Sequence, residues 1–195
     1  MKIDPSNFQK LNVADTCAIW NVLSSRLLYN RAKEVGCYFC CTKFVHYEAL
    51  HKPRKNYTSE DMELQNRLRE AIKHGQFKSY NLDLEDLQEV DILKKRNNLG
   101  KGELASIAFA KKTNQAFITD DMEARKLATE VMFRQLVQTT PHLVGWLFFA
   151  NFLGDGDLKT IIYEHKKYNR PLAKYFNEMY IRALDYKMKA NSYKG

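Results

Sequence analysis

No stretch of this chain is apolar for long enough to span a bilayer, which takes about 20 consecutive apolar residues. The opening Met1-Lys2-Ile3-Asp4-Pro5 carries no apolar segment of the secretory kind, so the expectation is a cytoplasmic protein without a membrane partner. Cysteine is scarce. Of the four, Cys37, Cys40 and Cys41 crowd one short stretch whose alternating side chains exclude a disulfide framework. Cys37-x-x-Cys40 has no second pair to complete a four-ligand zinc site, which leaves these residues as small hydrophobes of a buried strand. Gly154-Asp155-Gly156-Asp157 lacks the downstream oxygen ligands of an EF-hand and reads as a turn.

What is present is a chain of 195 residues, 45% hydrophobic, which suits one α/β domain with a core over about 10–153 and a helical extension over about 154–195. The chain is organised around Gly100-Lys101-Gly102-Glu103-Leu104-Ala105-Ser106-Ile107-Ala108 and the Ala116-Phe117-Ile118-Thr119-Asp120-Asp121 that follows. Leu104, Ile107 and Ala108 recur at helical spacing, so a helix begins near Gly102 with Glu103 in its first turn, where the dipole favours a carboxylate. The second piece is a short apolar strand, an acidic turn, and a helix with Ala124, Leu127, Ala128 and Val131 inward. Two upstream pieces repeat this pattern. Asn12 to Thr16 reads as a strand ending in Asp15-Thr16, followed by a helix with Ile19, Val22, Leu23 and Leu27 on one face. Cys37 to Cys41 reads as a second strand, and the helix after it carries Glu48. Carboxylates therefore recur at or just after strand and helix starts, where sites collect in α/β folds.

In the order and spacing of Asp15, Glu48, Glu103 and Thr119-x-Asp121, the chain resembles the PIN-domain metal-dependent nucleases over most of its length. Gly-x-Gly-Glu-x-x-x-Ile-Ala and Thr-Asp-Asp-x-x-Ala-Arg are similar to the bacterial and archaeal branch related to toxin ribonucleases. The resemblance implies a PIN-like three-layer α/β fold: a mainly parallel sheet of four or five strands, helices on both faces, and a C-terminal helical extension. It implies Mg²⁺ or Mn²⁺ held by Asp15, Glu48, Glu103 and Asp121, with Asp120 as an alternate ligand and Thr16 and Thr119 as supporting hydroxyls. Alignment on Thr119 favours Asp121 over Asp120. Hard cations suit such a donor set, and clustered carboxylates repel one another until a cation or protons relieve them.

The remaining segments are read more simply. A basic loop with Lys52, Arg54 and Lys55 follows Glu48, suited either to phosphate contact or to solvent. His46 and His51 flank Glu48 and read as surface or nucleic-acid contacts before metal ligands. Thr58 and Ser59 open a helix to about Lys73 that Gly75 ends. Tyr80-Asn81-Leu82 is a weak third strand. A helix from Leu84 to Lys95 has Asp83, Glu85, Asp86, Glu89 and Asp91 as dipole-favoured or solvated charges. A fifth strand is expected at Gln135 to Gln138, an apolar core helix from Thr140-Pro141 through Phe152, and further helices at about Leu158 to Tyr168 and Pro171 to Met188.

From Lys166 onward eight Lys or Arg residues face two acidic ones, a surplus of six out of the formal net charge of +8. Such a segment attracts polyanions, with Lys166, Lys167, Arg170 and Lys174 as phosphate contacts and the nearby tyrosines available to stack on bases. The function expected is thus a Mg²⁺- or Mn²⁺-dependent endoribonuclease of toxin type, with RNA before DNA as partner, and an antitoxin protein and a homodimer by analogy. The alternatives are a structure-specific DNA nuclease in genome maintenance or phage defence, and a nucleic-acid-binding scaffold without activity.

Overall fold

The computed structural model describes residues 3–53, 56, 58–96 and 98–192. Five strands, β1 (Leu11–Ala14), β2 (Tyr38–Thr42), β3 (Lys78–Tyr80), β4 (Ala116–Ile118) and β5 (Val137–Gln138), form one parallel sheet in the order β3-β2-β1-β4-β5. Val13-Ala14 of β1, Phe39 to Cys41 of β2 and Ala116 to Ile118 of β4 are apolar without alternation, as strands buried on both faces require, whereas the edge strand β3 is polar and partly exposed. Successive residues feed opposite layers. Ala14, Phe39, Cys41 and Ile118 enter one core, and Val13, Cys40 and Phe117 the other. Cys37 belongs to the first core and Cys40 to the second, so the pair never shares a face.

The first core is covered by α1 (Thr16–Ser24), α2 (Arg26–Glu34), α3 (Lys43–Leu50), α4 (Ser59–Lys73), α8 (Thr140–Phe149), α9 (Asp155–Lys167) and α10 (Ala173–Ser192). The second is covered by α5 (Leu84–Lys94), α6 (Lys101–Thr113) and α7 (Met122–Val131). The result is the expected three-layer α/β arrangement. The C-terminal helices are part of it, since Leu158, Ile161, Leu172, Phe176 and Ala183 are buried in the same cluster as Ile19 and Leu147. No helix among the described residues is long and apolar enough to cross a membrane.

Several boundaries differ from those read in the sequence, two of them because a tertiary contact intervenes. The helix expected through Leu27 breaks at Ser25, whose backbone is extended (φ −108°, ψ 115°) and whose hydroxyl both caps α2 at Leu28 N and donates to Glu164 of α9. Arg67 takes up the carbonyls this break leaves at Leu23 and Ser24, at 2.8 and 3.2 Å. The third strand lies two residues earlier than Tyr80-Asn81-Leu82, because Phe77 donates its N–H to Phe39 O at 2.6 Å while its ring is fully buried. Of the fifth strand expected at Gln135 to Gln138, Gln135 and Leu136 belong to a 3₁₀ turn (Arg134–Leu136) and only Val137–Gln138 pairs. Phe152 lies beyond α8, and Pro171 precedes α10 rather than sitting in its first turn. The turn expected at Gly154 to Asp157 is the start of α9, where Asp157 reaches back to accept from Gly154 N–H at 2.8 Å.

Helices α8 and α10 cross closely at Gly145. A Cβ there would stand 2.7 Å from Met179 Cε, 3.1 Å from its Cβ and 3.3 Å from its carbonyl oxygen. Because two of these atoms are fixed by the α10 backbone, Gly145→Ala is expected to cost about 1–3 kcal/mol by overpacking, against any gain in helix propensity. Urea unfolding of the variant checks this. An unchanged midpoint would show that α10 shifts freely on α8.

Candidate active site

The chain builds β1, β2 and β3 outward in one direction and then returns to add β4 and β5 on the other side of β1. Strand order reverses between β1 and β4, and ligands of open α/β sheets bind beyond the strand C-termini at such a point. Asp15 follows β1 and Thr119-Asp120-Asp121 follows β4. Thr119 joins the two ends. Its hydroxyl donates to Asp15 Oδ2 and accepts the Asp121 N–H at 3.1 Å.

Asp15 and Asp121 are both N-caps. Asp15 Oδ1 accepts from Ala18 N at 2.7 Å to open α1, and Asp121 Oδ1 accepts from Ala124 N at 2.8 Å to open α7. Each carboxylate is thereby fixed by the backbone it caps, at the positive end of a helix. Glu48 comes from α3 and accepts the Thr16 hydroxyl at 3.0 Å. Glu103, in the first turn of α6, accepts from Gly100 N at 2.8 Å. Gly102 lies against Glu48, and a Cβ built on it would stand only 2.9 Å from the Glu48 Cδ. The glycine of Gly-x-Gly-Glu thus makes room for a carboxylate of another helix.

These carboxylates feel one another. Burial pushes the Asp15 carboxyl up to about 7, against the hydrogen bonds from Thr119 and Ala18, and the charges of Asp120 and Glu103 push it the same way. Glu103 is raised by its burial, opposed by the Gly100 N–H and reinforced by Asp121 and Glu48. Cys17, beside Asp15 and Asp120, has its thiol pushed up to about 12 by burial, with Arg170 pulling the other way.

Asp120 and Asp121 differ in what holds them. Asp120 accepts three hydrogen bonds: from Thr140 N at 2.9 Å, from the Thr140 hydroxyl, and from Asn21 Nδ2 at 2.7 Å. Its carboxyl is raised by burial despite those bonds. Asp121 has one oxygen on the α7 cap, and no hydrogen bond to its other oxygen occurs among the described residues.

Asn21 and Thr140 are contributors that the sequence did not point to. A signal existed for Asn21, a polar residue on an otherwise apolar helix face and 3% exposed. His46 and His51 pack their rings on each other at 5.6 Å, and His51 also stacks on Tyr47. Among the described residues no three His, Cys, Asp or Glu side chains stand close enough as they are to hold a metal ion. Glu48 is held by Thr16 and Glu103 by Gly100, so an ion would recruit them by exchanging these hydrogen bonds for its own.

Four of the five acidic residues read at α5 are engaged in capping or pairing, and Asp91 is exposed. Asp83 and Asp86 form a reciprocal capping box, Lys112 pairs with Asp83, and Lys111 with Glu89 at 2.8 Å. Of the basic candidates, Lys167 pairs with Glu63 at 3.1 Å and lies over the Tyr168 ring, while Lys52, Lys166 and Lys174 are exposed. Arg54 and Lys55 lie outside the described residues.

The chain matches no protein-family model and no curated protein.

Proposed function

We propose that this chain is a Mg²⁺- or Mn²⁺-dependent nuclease of PIN-like type, hydrolysing phosphodiester bonds of RNA in preference to DNA. The reading is carried by Thr119, whose hydroxyl joins the Asp15 carboxylate to the Asp121 backbone N–H at the reversal of strand order, with Glu103 acting on the charge of Asp15 and Glu48 and Asp121 on that of Glu103. A donor set made only of carboxylates, some with proton affinities raised by burial and further by one another's charge, fits a hard divalent cation. Asp15, Glu48, Glu103 and Asp121 would hold one or two such ions. Asp120, with three hydrogen bonds already on its carboxylate, is assigned to positioning the turn that presents Asp121. When bound, the ion supplies Lewis acidity and a water of lowered pKa.

The chain's own residues supply the rest. Thr16 and Thr119 orient Glu48 and Asp15, as outer hydrogen bonds orient ligands in metal sites. Without an ion the Asp15 carboxyl is pushed up to about 7, chiefly by burial, so an ion bound there would displace its proton. No nucleophilic side chain is required. The deciding experiment compares cleavage of RNA, single-stranded DNA and duplex DNA with and without Mn²⁺. Cleavage only with the ion supports the reading, DNA-only cleavage turns it to the DNA nuclease, and binding without cleavage turns it to a scaffold.

The basic C-terminal segment would hold phosphates along the approach. Lys166 and Lys174 are exposed and form no salt bridge among the described residues, whereas Lys167 is committed to Glu63. Replacing Lys166 and Lys174 by Ala is expected to lower the salt dependence of single-strand binding by about 1.4 in log–log slope, about 0.7 per contact. Turnover at saturating substrate should change little, because such contacts serve ground and transition states alike. Titrations across a salt series check this, and an unchanged slope would take these lysines off the substrate path.

A further inference from the structure

Beside the carboxylates lies a cavity of about 290 Å³ that the proposed chemistry does not use. It is assembled from the start of α7, the start of α8 and the first half of α10, and Asp120 forms part of its wall. Its floor is apolar and polarisable, from Met122, Pro141, Leu172 and Met179, with the half-exposed Tyr175 ring at its side. Arg125, Arg182 and Glu178 also line it, and neither arginine is in a salt bridge among the described residues. The Asp120 charge is offset by the Thr140 and Asn21 hydrogen bonds and by Arg125, which leaves Arg182 to balance Glu178 until an anion enters between the two arginines.

Resting on the nuclease reading, we propose that this cavity is a nucleotide subsite that takes one unstacked base of the strand next to the scissile phosphate. The base would lie against Tyr175 and the two methionines, and its phosphate would be held by Arg125 and Arg182. The volume falls near the lower end of small-ligand pockets, about 300–1,000 Å³, which suits a single nucleotide and excludes a base pair. Aromatic and thioether side chains accept the flat face of any base, and guanidinium forks match phosphate oxygens. Because Asp120 and Asp121 are consecutive, a strand lying on the carboxylates has a neighbouring nucleotide within reach of the cavity. The consequence is selectivity for single strands, since a paired base must leave its stack to enter.

The test is an abasic walk. Short single-stranded RNA and DNA oligonucleotides, each with one base removed at a different position, are titrated against the full chain in EDTA, where binding is read without cleavage. One position is expected at which base removal weakens binding by about 5- to 150-fold, the range of a lost base–aromatic stack. Tyr175→Ala should weaken the intact strand by a similar factor and leave that abasic strand unaffected. Tyr175 is half exposed, so this variant should fold, and Arg125→Ala provides a second reading through weaker binding of both strands. Equal affinity along the whole walk, or equal weakening of intact and abasic strands by Tyr175→Ala, would overturn the subsite while leaving the nuclease reading in place. A position-specific effect without Mn²⁺-dependent cleavage would keep the subsite and overturn the nuclease. Absence of any oligonucleotide binding would overturn both.

Discussion

Asp15→Asn is expected to lower Mn²⁺-dependent cleavage at least 100-fold while leaving the fold intact. Loss of an outer-shell partner alone costs metal sites about 10- to 100-fold, and Asp15 is assigned as a direct ligand. Asn is as good an N-cap as Asp, so it can keep the hydrogen bond to Ala18 N, and its amide can donate to the Thr119 hydroxyl, which rotates. Stability reports the same residue independently. An acid whose carboxyl titrates near 7 when folded and near 3.8 when unfolded favours the folded state in its protonated form. The metal-free parent should therefore hold this contribution in full below about pH 4 and lose it as pH rises towards 7, by about 4 kcal/mol at 1.36 kcal/mol per pH unit. Asp15→Asn removes the titrating group. In EDTA its Tm should exceed that of the parent at pH 8, and the two should converge near pH 4. Mn²⁺ should raise the Tm of the parent and not that of the variant, because only a ligand bound to the folded state stabilises it. Parental cleavage by Asp15→Asn at saturating Mn²⁺ would refute the site, and a parent Tm indifferent to pH would refute the electrostatic account of Asp15.

Gly102→Ala should separate activity from stability in the opposite direction to a core substitution. Its backbone is not in the left-handed region and it stands in the first turn of α6, so the backbone itself accepts the methyl group. What the methyl group meets is the Glu48 carboxylate, the far end of a flexible side chain. Glu48 must swing away and give up the Thr16 hydroxyl. The expected outcome is a Tm within a few degrees of the parent, with Mn²⁺ affinity and cleavage reduced about 10- to 100-fold, as for loss of a supporting contact in a metal site. Thermal unfolding with and without Mn²⁺, alongside the cleavage rate, checks both halves. Full activity would mean that Glu48 does not serve at the position assigned to it.

The amino-acid sequence by itself determined what depends on near neighbours in the chain. Unbroken apolar runs at Val13-Ala14, Phe39 to Cys41 and Ala116 to Ile118 specify strands buried on both faces, and Asp15, Thr58, Asp83 and Asp121 open the helices that follow. The acidic residues at strand and helix starts were legible for the same reason. Capping joins residues three apart, so it is written in local spacing. The tertiary structure alone decided which ends meet. The β3-β2-β1-β4-β5 order sets Asp15 beside Thr119, 104 positions away, and brings Asn21 to Asp120, 99 positions away. It also separates the consecutive Asp120 and Asp121, turning one to Thr140 and Asn21 and the other to the cap of α7, a difference that no local pattern encodes. The break at Ser25, stabilised by Glu164 and Arg67, and the space that Gly102 leaves for Glu48 are of the same kind. Local periodicity records only which face of an element is buried. The partner buried against it is selected when the whole chain closes its two cores around the sheet, and there the carboxylates acquire the burial and the nearby like charges that raise their affinity for a proton.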